Sequence, residues 1–161
     1  MSIAAVIQAR MGSTRLPGKV LMDLAGEPML VRVVNRVNRA KTIDQVVVAT
    51  TEKNVDDPIQ KICQQQNWFV YRGSEDDVLD RYYRAAKRVE ADTVVRITAD
   101  CPLIAPDVID QVVEVFLNSQ SGVDYVSNFF GERTFPRGLD TEVIRFRALA
   151  QAWTEDQNPS W

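Results

Sequence analysis

Residues 9–19 read Ala9-Arg10-Met11-Gly12-Ser13-Thr14-Arg15-Leu16-Pro17-Gly18-Lys19, a loop with three cations and no acid before Asp23. The loop leaves Ile3–Gln8, a short apolar run with β-branched residues that reads as a buried strand. Glycines such as Gly12 allow positive φ and let backbone N–H groups close around phosphate oxygens. Arg10, Arg15 and Lys19 supply the charge that a triphosphate needs, arginine through its planar fork and lysine as a point charge. One exposed ion pair contributes only about 0–1 kcal/mol, so a polyphosphate site requires several cations to converge. Neither G-x-x-x-x-G-K-[ST] nor G-x-G-x-x-G is present, so the loop is not a Walker A or dinucleotide-binding turn. On composition alone, a solvated basic turn is an equal alternative.

Outward from this loop, strand-like and helix-like segments alternate. Pro28 opens a helix in which Leu30, Val33, Val34 and Val37 share one face, with Arg32, Arg36 and Arg39 facing out. Strands are expected at 45–50, 68–71, 93–98 and 123–127, and a weaker one at 142–144. Helices are expected at 55–66, 76–90, 106–118 and 146–153. This alternation predicts right-handed βαβ units and a mostly parallel sheet, an α/β fold in a single domain over residues 1–161. The stretch 128–139 breaks the pattern and reads as an irregular excursion. Its Phe129, Phe130 and Phe135, if exposed, give a reason for a homodimer. Ligands of such sheets bind beyond the carboxyl ends of the strands where strand order reverses, which selects the loops after the first and fourth strands.

The second of these is Arg96-Ile97-Thr98-Ala99-Asp100-Cys101-Pro102-Leu103. A carboxylate at the end of a buried strand must be solvated, hydrogen-bonded or metal-bound. Asp100 beside a polyphosphate loop suits Mg²⁺, and a carboxylate capping the next turn is the alternative. Arg72 and Ser74, after the third strand, could meet a base or ribose, while Ser74-Glu75-Asp76-Asp77 equally supplies a helix start. Asp80, Arg81 and Arg84 read as a solvated helix face. Arg137 and Asp140 pair a cation with an acid in the irregular segment, which suits a sugar-like ligand or a plain turn.

Nineteen Lys and Arg against 22 Asp and Glu give a net charge of −3, so nothing in the overall charge calls for nucleic acid. No apolar run reaches membrane-spanning length. Histidine is absent, which excludes Ser-His-Asp and Cys-His nucleophile systems. Cys63 and Cys101 lack metal-ligand spacing and read as small core residues of a protein in a reducing cytoplasm. Surface scaling for this mass buries roughly 70% of the extended chain, enough for a core without disulfides.

The loop 9–19 followed by Asp23, Gly26 and Pro28 resembles the opening motif of the cytidylyltransferase family, which includes the CMP-KDO and CMP-acylneuraminate synthetases. Val48-Ala49-Thr50-Thr51, Arg72-Gly73-Ser74-Glu75, the 96–104 segment, Asp124-Tyr125-Val126-Ser127-Asn128 and Pro136-Arg137-Gly138-Leu139-Asp140 resemble its branch containing the spore-coat polysaccharide biosynthesis protein F. The resemblance implies a three-layer α/β/α sandwich of nucleotide-diphospho-sugar transferase type. It also implies transfer of CMP from CTP to a sugar or sugar acid, with Mg²⁺ and release of pyrophosphate. Arg10, Gly12, Ser13, Arg15 and Lys19 would then hold the nucleotide, with Arg72 and Ser74 as looser matches near the base. Asp100 would hold the metal, and Arg15, Lys19 and Asp100 would carry the catalysis. Family members continue past the length reached at Asn158-Pro159-Ser160-Trp161, which implies that the family's C-terminal portion is lacking. A glycosyltransferase of the same fold and a non-catalytic nucleotide- or sugar-binding module are the competing readings. Asp100-Cys101-Pro102, where a metal-dependent glycosyltransferase shows Asp-x-Asp, favours nucleotidyl transfer.

Overall fold

The computed structural model describes residues 1–119 and 122–156, so the 158–161 tail lies outside the described residues. β1 (Ile3–Gln8) is followed by a two-stranded hairpin, β2 (Asp23–Leu24) with β3 (Glu27–Pro28), and by α1 (Met29–Val37). Then come β4 (Gln45–Thr51), a 3₁₀ turn at Asn54–Asp56, α2 (Asp57–Gln65), β5 (Phe69–Gly73) and α3 (Val78–Arg88). The chain continues through β6 (Thr93–Thr98), α4 (Pro106–Asn118), β7 (Tyr125–Ser127), β8 (Glu142–Arg145) and α5 (Phe146–Glu155).

Six strands form one sheet in the order β5-β4-β1-β6-β8-β7. β1, β4, β5 and β6 run parallel, whereas β8 is antiparallel to both β6 and β7. The strands are buried on both faces because helices cover both. Ile3, Ala5, Ile7 and Ala9 pack with α1, α2 and α4, and Ala4 and Val6 pack with α3 and α5. Small alanines alternate with branched residues, which lets both helix layers approach the central strand. The expected three-layer, mostly parallel architecture is therefore present.

Two expectations change, and one element carried no sequence signal. The hairpin β2–β3 has no period-2 apolar signal. Its turn instead rests on Ala25 and Gly26, both at positive φ (54° and 90°), the geometry that joins two-residue hairpins. Arg32 holds this turn by donating to the carbonyls of Leu24 and Ala25. Arg81 is not on a solvated face: it is 1% exposed, because the Gly73–Asp77 loop folds over α3 and gives its guanidinium carbonyl partners. Of the three phenylalanines, only Phe130 is fully exposed, at 89%. Phe135 packs against the core, and Phe129 lies under the Arg133 guanidinium at 5.7 Å.

Candidate active site

Strand order reverses at β1, whose neighbours are β4 and β6. Gln8 of β1 stands opposite Thr98 of β6, and the ladder extends one step further through the Ala99 N–H donating to the Gln8 carbonyl at 3.0 Å. Ala9 and Ala99 are the last buried residues, so Arg10 and Asp100 emerge at the same height, at the carboxyl edge of the sheet. Beyond them the loop turns on Met11, whose carbonyl accepts the N–H groups of Ser13 and Gly18, both at 2.8 Å. Gly18 takes the left-handed conformation (φ 73°), which starts the short 3₁₀ turn Lys19–Leu21. A side chain at Gly18 would be strained in that conformation and would meet Met11 Cε at 3.3 Å. Val20, 3% exposed, anchors the turn in the core and leaves Lys19 beside the cleft.

Arg10, Ser13, Arg15, Lys19, Thr98 and Asp100 line one open cleft of about 280 Å³. Lys19 Nζ donates to Asp100 Oδ2 at 2.5 Å. Burial pushes the Asp100 carboxyl upward, but hydrogen bonds from Lys19 and Thr98 outweigh it and hold the group below the usual carboxylate value. Arg10 and Arg15 are exposed and make no salt bridge or hydrogen bond among the described residues. Three cations therefore line a cleft with one carboxylate, and neither arginine is held in an ion pair, although the Glu75 carboxylate acts on Arg10 from the side. Such a cleft is suited to an anionic ligand with several charged oxygens.

The other candidates lie around this cleft rather than in it. Gly12 sits beside Glu75, whose Oε1 would lie 3.5 Å from a Cβ at that position. Arg72 is fully engaged: it donates to the carbonyls of Thr51 (2.8 Å) and Lys53 (2.9 Å) and to Gln60 Oε1, and pairs with Asp57. Ser74 Oγ accepts the N–H groups of Asp76 and Asp77, and Asp77 accepts that of Asp80 at 2.7 Å, so this segment builds the start of α3. Asp140 forms a two-pronged pair with Arg133 at 2.7 and 3.1 Å, and Arg137 is exposed. Cys101 has its thiol 3.2 Å from Thr98 Oγ1, and burial pushes its pKa up, which leaves it a poor nucleophile. Among the described residues no group of three or more His, Cys, Asp or Glu could by itself enclose a metal ion.

Sequence reasoning missed Gln8, Thr14 and Thr98, which also line the cleft. Gln8 and Thr98 carried a signal, being the polar residues at the carboxyl ends of β1 and β6. Asp56, which binds the Met11 N–H, carried none.

The cytidylyltransferase family model matches residues 4–159. A spore coat polysaccharide biosynthesis protein of Bacillus subtilis, SpsF, is 36% identical over 151 residues, covering 91% of this chain and 60% of the relative. The chain thus spans about 60% of that relative's length. A solved cytidylyltransferase of Leptospira borgpetersenii superposes with a TM-score of 0.92 at 39% identity, over 99% of this chain and 66% of that one. A CMP:2-keto-3-deoxy-manno-octonic acid synthetase solved with CTP shares the fold, with a TM-score of 0.75 at 22% identity over 99% and 80% of the two chains. Strand order, the cationic loop after β1 and these matches agree: the chain belongs to the cytidylyltransferase family.

Proposed function

We propose that the cleft binds the triphosphate of CTP, and that the protein transfers CMP to a hydroxyl of a sugar or sugar acid, for polysaccharide biosynthesis. The convergence of Arg10, Arg15 and Lys19 on the edge that presents Asp100 carries this reading. In the transfer, the acceptor hydroxyl oxygen attacks the α-phosphorus and gives up its proton to solvent, the bond from the α-phosphorus to its bridging oxygen breaks, and pyrophosphate leaves. The reaction needs positioning and charge neutralisation more than a protein nucleophile, which suits a site without histidine or an activated thiol. Arg10 and Arg15 bind the phosphate oxygens, and Lys19 moves from Asp100 to the triphosphate as the ligand arrives. Asp100 is thereby released as a hard oxygen donor. Mg²⁺ is commonly held by one or two carboxylates together with substrate phosphates, so Asp100 fits it, and when bound it neutralises phosphate charge. Arg72 and Ser74 act through the backbone, holding the β5 end beside the nucleoside. Arg137 and Asp140 lie in the segment on the acceptor's side, where Asp140 adds to the charge acting on the Cys101 thiol.

A coupled assay of pyrophosphate release with CTP, Mg²⁺ and a panel of sugar acids tests the reading. CTP-dependent release requiring an acceptor is expected. Sugar transfer from a ready-made nucleotide sugar, with no pyrophosphate from CTP, would replace it by the glycosyltransferase reading.

A further inference from the structure

The loop that carries the cations is gripped from beneath by a carboxylate that the proposed chemistry does not use. Asp56 ends the 3₁₀ turn before α2 and is 1% exposed. It occupies the position of an N-cap for α2, yet its side chain makes no capping bond there. Oδ1 instead accepts the Met11 N–H at 2.7 Å, and Oδ2 accepts the Thr51 hydroxyl. Thr51 is the last residue of β4, 1% exposed, and therefore belongs to the rigid sheet. Met11 in turn is the hub of the loop, since its carbonyl binds the N–H groups of Ser13 and Gly18. One continuous chain of contacts thus runs from the sheet through Thr51 and Asp56 to the peptide on which the loop turns.

A buried carboxylate is costly unless it is hydrogen-bonded, and a charged acceptor forms a stronger bond to an N–H than a neutral one. The Asp56 carboxylate in turn favours the charged forms of Lys53 and Arg81. We propose that Asp56 is a positioning residue for the triphosphate loop. It touches no substrate atom and acts through the Met11 N–H to set where Ser13, Arg15 and Lys19 stand relative to Asp100. The proposal rests on the nucleotide reading above and extends it to a residue 45 positions from the peptide it holds.

The test compares Asp56→Ala and Asp56→Asn with the parent chain, reading amide hydrogen exchange without ligand and CTP affinity by calorimetry. Asp56→Ala is expected to speed exchange across 11–18 while β1 and β6 amides keep their parental rates. Its CTP affinity should fall about 10–100-fold, the cost of a small misplacement of positioned groups. Asp56→Asn, which keeps an acceptor for the Met11 N–H, should recover most of both losses. Asp56→Ser, too short to reach Met11, gives the same readout should the alanine variant not fold. A parental exchange pattern and parental CTP affinity in the truncated variant would overturn the assignment. A parent chain that binds no triphosphate would instead overturn the nucleotide reading, and the two failures are distinct.

Discussion

Lys19 and Asp100 are 81 positions apart in the chain and 2.5 Å apart in the fold. The pair is partly solvated, with side-chain exposures of 26% and 40%, so its contribution to stability is small, within about 1 kcal/mol. Its effect on protonation is more readable. The Asp100 carboxyl lies below its ordinary range, so whatever stability the pairing contributes is present above that range and is lost as pH falls through the lowered value. Lys19→Ala removes the donor and the nearby positive charge while leaving the burial. The Asp100 carboxyl should then titrate higher than in the parent, as followed by carbon-detected NMR, with the fold intact. An unchanged titration would show that Thr98 and the backbone alone hold the group down.

At the scale of elements, helix α3 separates two kinds of arginine that look alike in the sequence. Arg88 lies exposed in the last turn, whereas Arg81 is buried under the 74–75 backbone and donates to the carbonyls of Ser74 and Glu75. Arg81→Ala strips those carbonyls of a buried partner and should cost about 1–3 kcal/mol in denaturant unfolding. Arg88→Ala should stay within about 0.5 kcal/mol. Equal effects would return α3 to an ordinary solvated face. The elements themselves were readable because their signals are strong: near-continuous buried runs in β1 and β6, and helix starts marked by Pro58 and Pro106. The β2–β3 hairpin was not, since two-residue strands have no period and their turn depends on a positive φ at an alanine. Strand β8 reads weakly because half of its four residues are charged, and Glu142 is accommodated only through Arg96 and Tyr125 from neighbouring strands. The cationic loop and Asp100 were legible as local composition at strand ends. Asp56 and Arg81 were not, because the Met11 N–H and the Ser74 and Glu75 carbonyls that they bind are backbone groups, which leave no trace in residue type.

The whole molecule assembles its cleft by topology. Placing β1 between β4 and β6 brings two sequence-distant strand ends to one edge, and the register carries Arg10 and Asp100 to one height. Both helix layers are needed to bury that strand, so the site and the fold share one core. The central claim, that this edge binds a pyrimidine nucleoside triphosphate through its cations, is tested most directly by thermal unfolding with each of the four triphosphates and Mg²⁺. The parent and an Arg15→Ala, Lys19→Ala double variant are compared. CTP at 100 times its dissociation constant should add about 2.7 kcal/mol, a rise in Tm of roughly 5–10 °C for a chain of this size. ATP and GTP should add less, and the double variant should lose most of the CTP shift. No shift with any triphosphate, or a CTP shift undiminished in the double variant, would contradict the account.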